Sequence, residues 1–265
     1  MTDTPTSVTP PADVESDDHA FAAWAATVAG ERLIQVRTEG LEGRELKDAG
    51  DLAAHDLLME LCAQHRPDDA VLSEEGKDDK VRLAADRVWI IDPLDGTREF
   101  SEPGRDDWAV HVALWVRTET GGELVAGAVA QPGVHETFST GTPPVVPPRT
   151  TERPRIAVSR TRPPDFVEGL AAEIGADLVP MGSAGAKVIS VARDVTDAYV
   201  HAGGQYEWDS AAPVAVARAA GLFTSRIDGS PLVYNQDDVM LPDLVVCRPE
   251  LAESILDYIR RIDIG

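Results

Sequence analysis

Val88-Trp89-Ile90-Ile91-Asp92-Pro93-Leu94-Asp95-Gly96-Thr97 carries an apolar run into two carboxylates. The run Val88 to Ile91 predicts a buried strand. The strand ends in two acids that straddle a proline, directly before a Gly-Thr turn. Burying an ionised carboxylate costs several kcal/mol unless it is paired or bound to metal. A pair of hard divalent cations would resolve that cost, because Mg²⁺ prefers a few carboxylates plus substrate phosphate. Gly96 and Thr97 supply backbone N–H groups at a helix start, where a phosphate can sit. A plainer reading competes: Asp-Gly is a common turn and Asp a common helix cap. The motif alone leaves the choice open.

Three other stretches bear on it. Val71-Leu72-Ser73-Glu74-Glu75 is a short apolar strand ending in adjacent glutamates. Asp48-Ala49-Gly50-Asp51 precedes a helical stretch, Leu52 to Gln64, which makes Asp51 a candidate cap. Glu207-Trp208-Asp209-Ser210-Ala211-Ala212 opens another helix, with Asp209 expected at its cap position. Each has an ordinary explanation as a cap or a solvated loop. Together they form the carboxylate set that a two-metal phosphoryl-transfer site requires.

The chain has 265 residues, enough for one large domain or for two halves sharing a site. A hydrophobic content of 43% suits a globular protein. No apolar run reaches membrane-spanning length, and the N-terminus lacks a basic region followed by an apolar stretch. Cys62 and Cys247 lie in apolar surroundings and read as reduced core residues of a cytoplasmic protein. The net charge of −22 argues against a nucleic-acid polymer as partner, which needs a basic footprint. A small phosphate substrate is compatible only if bound cations and nearby Arg or Lys reverse the local sign.

Residues 1–18, rich in Pro, Thr, Ser and Asp, are expected to be a disordered tail. The remainder divides at the five prolines of Gly141 to Pro154. Residues 19–150 form an α+β half with most of the acids. Residues 151–265 alternate strand and helix and contribute Asp209. Helices are expected over 19–37, 51–64, 164–174, 182–192, 210–220 and 249–260. Strands are expected near 70–72, 88–91, 108–116, 124–130, 156–158, 178–179, 197–200 and 244–247, with a hairpin at Thr120-Gly121-Gly122. The class is mixed α/β, a layered sandwich.

The order Asp51, Glu74-Glu75, Asp92-Pro93-Leu94-Asp95-Gly96-Thr97 and Trp208-Asp209-Ser210-Ala211-Ala212 resembles the inositol monophosphatase superfamily over about residues 20–260. The version Asp95-Gly96-Thr97-Arg98-Glu99-Phe100 looks like that of its CysQ group. Gly104-Arg105-Asp106-Asp107-Trp108-Ala109-Val110-His111 is similar to actinobacterial members. The resemblance implies an α-β-α-β-α sandwich, a Mg²⁺-dependent, lithium-sensitive phosphomonoesterase, and 3′-phosphoadenosine 5′-phosphate as substrate.

It also implies a ligand set. Glu74, Asp92 and the Leu94 carbonyl would hold one Mg²⁺. Asp92, Asp95 and Asp209 would hold a second, and some members use a third near Glu74. Asp51, Glu74 and Thr97 would orient the attacking water. Gly96, Thr97, Arg98, Arg105, Ser183, Lys187 and Asp209 would contact substrate, and His111 is a further candidate for its second phosphate. Lys187 can equally be a helix residue with a snorkelling stem. Asp48 stands where the superfamily usually has threonine. Ala202 stands where inositol monophosphatases place a glutamate against the sugar ring, which argues against inositol phosphate as preferred substrate. Polyol, sugar-bisphosphate and histidinol phosphates remain the alternative substrates, a non-catalytic acidic metal-binding protein the alternative class, and a homodimer an open assembly.

Overall fold

The computed structural model describes residues 9–161 and 163–262. In chain order the first half contains α1 (Asp18–Val36), α2 (Gly43–His65), β1 (Ala70–Ser73), β2 (Arg87–Asp95), α3 (Thr97–Ser101), β3 (Ala109–Thr118), β4 (Gly121–Gln131) and β5 (Glu136–Ser139). The second contains β6 (Arg155–Ser159), α4 (Phe166–Ile174), β7 (Asp177–Met181), α5 (Ala184–Ala192), β8 (Ala198–Ala202), α6 (Glu207–Ala219), β9 (Phe223–Ser225), β10 (Asp243–Cys247) and α7 (Ala252–Arg261).

Strands β1 to β5 form one sheet in sequence order, with β1 parallel to β2 and the others antiparallel. The second sheet runs β7-β6-β8-β10-β9, parallel through its first three strands. Side chains alternate across a strand. Trp89 and Ile91 therefore join one core with α1 and α2, while Val88 and Ile90 join another with α5 and α6. Helices cover both faces of the sheet, so β2 reads as a continuous apolar run rather than an alternating one. The far face of the second sheet packs on α4 and α7. The layers are α-β-α-β-α.

Four details differ from the sequence expectations. Residues 1–8 of the expected tail lie outside the described residues, but Pro11–Asp17 are tied down. Val14 is buried and its carbonyl accepts from Arg66, and Asp17 caps α1 by accepting from the His19 and Ala20 amides. Helix α2 begins at Gly43, so Asp51 is an interior helix residue and not a cap. Gly50 is inside that helix because Phe100 and Leu94 pack where its Cβ would be, at 2.6 and 3.0 Å. Asp209 occupies the third position of α6, where its carboxylate accepts from the amide of the cap residue Tyr206 at 2.7 Å. The short edge strands β5 and β9 were not expected. Among the described residues no helix is long and apolar enough to cross a membrane.

Candidate active site

The chain leaves regular pairing at the end of β2. The β2–β3 register shifts between Asp92 and Asp95, where Pro93 has no amide to give the ladder. The bulge lets both acids point to one place. Asp92 Oδ1 accepts from the Leu94 amide at 3.0 Å. Gly96 then takes φ +86°, and a Cβ there would press on Ser183 and on the Asp107 carbonyl at 3.1 and 3.3 Å.

Asp92 is 1% exposed and has three carboxylates for neighbours, Glu74, Asp95 and Asp209. Burial, then the charges of Glu74, Asp95 and Asp209, push its pKa well above the ordinary carboxylate range. Asp209 is raised to about 8, chiefly by burial and by Asp95, with the Tyr206 amide and Lys187 opposing. Glu74 is an exposed residue, yet its carboxyl turns inward and shares a hydrogen bond with Asp92. Two carboxyls can share such a bond only if one is protonated. Burial, and the charges of Asp95 and Glu75, raise Glu74 to about 7. Asp51 is raised to about 7 by burial and by Glu75, Glu74 and Asp48. Thr97 Oγ1 lies 3.2 Å from the Leu94 carbonyl and also hydrogen bonds Asp51.

His111 faces Asp92 across the β2–β3 ladder and is fully buried. Its Nδ1 lies 3.1 Å from the Trp208 carbonyl and its Nε2 3.3 Å from Asp95 Oδ2. Burial lowers its pKa, so it is neutral, with Nδ1–H donating to the carbonyl and Nε2 left without a donor. Its place beneath the acids corrects the reading of His111 as a phosphate contact. One donor atom each from Asp92, Asp95 and His111 lies within 4.8 Å of the others.

These residues fit a hard divalent cation. The carboxylates converge, and among the described residues no lysine or arginine pairs with Asp92. The oxygens are the ligand type that Mg²⁺ or Ca²⁺ selects.

A cavity of about 650 Å³ opens from Asp95, Thr97 and Asp209. Gly96, Arg98, Ser183 and Lys187 line it, whereas Arg105 does not. Arg105 is tied to Asp107, donating from Nε at 2.7 Å, so its guanidinium is committed elsewhere. Ser183 lines the cavity but its hydroxyl donates to Asp95 Oδ2 at 2.5 Å, as does the Gly185 amide at 2.6 Å. The start of α5 is thus occupied by Asp95 and is not an open anion site. Lys187 is buried and donates to the Gly182 and Ser183 carbonyls. Burial lowers its pKa, against the pull of Asp95, Glu99, Asp107 and Asp209. Ala202 stands on the cavity wall. Asp48 is exposed and pairs with Arg44 at 3.4 Å.

Several contributors escaped the sequence reading. Arg160 lines the cavity and bonds Glu99 and Glu102. Glu207 accepts from the Asn235 and Gln236 amides at 2.6 and 2.7 Å, and Arg82 donates to the Asn235 side chain and the Gln236 carbonyl. That strut ties the segment after Glu74 to the helix carrying Asp209. Only Glu99 had a local signal, its place directly after Asp-Gly-Thr-Arg.

A five-layered α/β sandwich with converging carboxylates at the mouth of a polar cavity defines a class of metal-dependent phosphatases. The chain belongs to the inositol monophosphatase family, whose pattern matches residues 14–263. A 3′-phosphoadenosine 5′-phosphate phosphatase of Mycobacterium leprae is 51% identical over 94% of this chain and 95% of its own length. The 3′(2′),5′-bisphosphate nucleotidase CysQ of Escherichia coli K12 is 29% identical over 73% of this chain and 81% of its own. The crystal structure of CysQ from Bacteroides thetaiotaomicron superposes with a TM-score of 0.76 at 26% identity, covering 86% of this chain and 96% of that one.

Proposed function

We propose that this protein is a Mg²⁺-dependent phosphomonoesterase that hydrolyses 3′-phosphoadenosine 5′-phosphate to AMP and phosphate in the cytoplasm. The observation that carries the reading is the convergence of Asp92, Asp95, Asp209 and Glu74 at the mouth of a cavity lined by basic side chains. The naming of the mycobacterial relative selects the substrate.

In this reading Glu74, Asp92 and the Leu94 carbonyl would hold one Mg²⁺, and Asp92, Asp95 and Asp209 would hold another. A third beside Glu74 is compatible with the extra acids Asp51 and Glu75. When bound, the cations neutralise phosphate charge and make water more acidic. Asp51 and Thr97 orient the attacking water: the hydroxyl turns its single proton between Asp51 and the Leu94 carbonyl, and its lone pairs face the water. The Gly96 and Thr97 amides, Arg98 and Lys187 position the substrate. Ser183 holds Asp95 in place. Phosphoryl transfer asks mainly for positioning and charge neutralisation, so no covalent nucleophile is required. The halves 19–150 and 151–265 each supply part of the set.

Ala202 leaves that wall without an acid to bind ring hydroxyls, which favours the nucleotide over a polyol. The test is phosphate release under Mg²⁺ from 3′-phosphoadenosine 5′-phosphate and from inositol 1-phosphate. The expected kcat/KM ratio is at least about tenfold, roughly 1.4 kcal/mol in the transition state. A ratio near or below one moves the function to a polyol phosphatase.

A further inference from the structure

We propose that Arg160 is the specificity-determining residue of this cavity, the group that receives the phosphate of a nucleoside bisphosphate that is not cleaved. The inference rests on the nucleotidase reading above and adds a residue to it.

Two groups that could have held that phosphate are engaged elsewhere. The start of α5 donates to Asp95, and Arg105 is locked on Asp107 outside the cavity. Among the described residues, the Lys and Arg side chains lining the cavity are Arg98, Arg160 and Lys187. Arg98 follows Thr97 directly, at the reacting end. Lys187 is buried and gives two of its three donors to backbone carbonyls. Arg160 comes from the opposite half, at the end of β6, where its amide donates to the Met181 carbonyl at 3.0 Å.

Its guanidinium is held from one nitrogen only. Nη2 donates to Glu99 Oε1 at 2.6 Å and to Glu102 Oε1 at 3.0 Å. Nε is buried and has no acceptor among the described residues. A buried donor without a partner is costly, and the cost is recovered when an acceptor arrives. Both Nη2 hydrogens are spent on the two glutamates, so the donors left for a phosphate oxygen are Nε and Nη1. Glu99 is buried on the Gly182 backbone and fixes the group. Glu102 is the more exposed carboxylate at the outer side, and it opposes an incoming anion. The pair therefore orients Arg160 through Glu99 and tunes its affinity through Glu102.

The experiment compares 3′-phosphoadenosine 5′-phosphate with adenosine 3′-phosphate, which has the same scissile bond and lacks the second phosphate. Arg160→Gln should lose at least about tenfold in kcat/KM on the bisphosphate, mainly through KM, and less than about threefold on the monophosphate. Arg160→Lys should recover part of the loss. Glu102→Gln, a change nearer the surface, should lower KM for the bisphosphate only. Equal losses on both substrates would reduce Arg160 to a strut between α3 and β6 and overturn the proposal, as would no loss. If the wild-type protein cleaves neither substrate, the nucleotidase reading fails by itself. Protection of the protein by AMP against thermal unfolding then decides: a shift lost in Arg160→Gln sustains the phosphate site, and a shift that is absent or unchanged overturns it.

Discussion

Two groups of buried aspartates in this protein have opposite electrostatics. Asp197, fully buried just before β8, accepts from Arg248 Nε at 2.8 Å and from the Arg155 amide and Nε at 2.8 and 3.1 Å. Asp194 completes the cluster on the same two arginines. Burial pushes the Asp197 carboxyl up, but the bonds from Arg155 and Arg248 outweigh it and the pKa lies below its ordinary value. Asp92 is buried to the same degree and faces Glu74, Asp95 and Asp209 instead, so its pKa rises. Burial alone does not set the sign; the neighbours do. One cluster carries its counter-charges in the chain and serves the fold. The other leaves them to be supplied from outside, and that deficit marks the active site.

The sharpest way to break the comparison is to remove one carboxylate from the deficient cluster. Asp92→Asn should reduce turnover about a thousandfold or more at saturating Mg²⁺, ~4 kcal/mol of transition-state stabilisation. Its melting temperature in chelator should stay level or rise, because a repelled group is gone. Retention of more than about a tenth of the wild-type rate would remove Asp92 from the metal site.

The converse change is made in the satisfied cluster. Arg248→Met leaves Asp197 and Asp194 short of a counter-charge and should destabilise the fold by about 3 kcal/mol in denaturant titration, since stripping one partner from a buried pair is severe. Activity per folded molecule should change little. A loss below about 0.5 kcal/mol, the range of ordinary surface changes, would mean that the Asp197 cluster is not structurally important.

How much of this contrast can be read in the sequence depends on distance along the chain. The apolar run before Asp92 marks β2, and the Asp-Pro-Leu-Asp-Gly-Thr turn marks the bulge, because both are local. Asp51 misleads for a tertiary reason: Gly50 looks like a helix break, yet it is a packing site for Phe100 and Leu94 within α2. Asp209 looks like a cap but is the third residue of α6, since the cap amide it accepts from belongs to Tyr206. The bonds of Arg160 to Glu99 and of His111 to the Trp208 carbonyl join residues from different halves. No local pattern encodes them, and a lone arginine after a strand gives no warning of its role.

Supplying the missing charge should sharpen the comparison. Mg²⁺ at about a hundred times its dissociation constant should stabilise the wild-type fold by ~2.7 kcal/mol. Asp92→Asn should lose most of that increment, and Arg248→Met should keep it. Equal stabilisation of wild type and Asp92→Asn by Mg²⁺ in thermal melts would place the bound cation elsewhere.

The smallest effect is the pH dependence of the metal-free protein, and its sign is diagnostic. Asp209 titrates near 8 and Asp51 near 7 in the folded protein, against an unfolded carboxylate near 4. Between those limits the folded state holds protons that the unfolded chain has released. Stability from these groups is complete below the unfolded pKa and is lost as pH rises through the folded one. Each proton in excess gives a slope of about 1.4 kcal/mol per pH unit. Asp197 acts oppositely: its contribution is present above the unfolded pKa and is lost as pH falls through its lowered folded pKa. In chelator the melting temperature should therefore fall between pH 6 and 8. Mg²⁺ should flatten or reverse that slope, because the same deprotonation frees its ligands. A melting temperature that climbs from pH 6 to 8 in chelator would mean that the carboxylates around Asp92 already have their counter-charges, as Asp197 does, and the contrast between the two clusters would not hold.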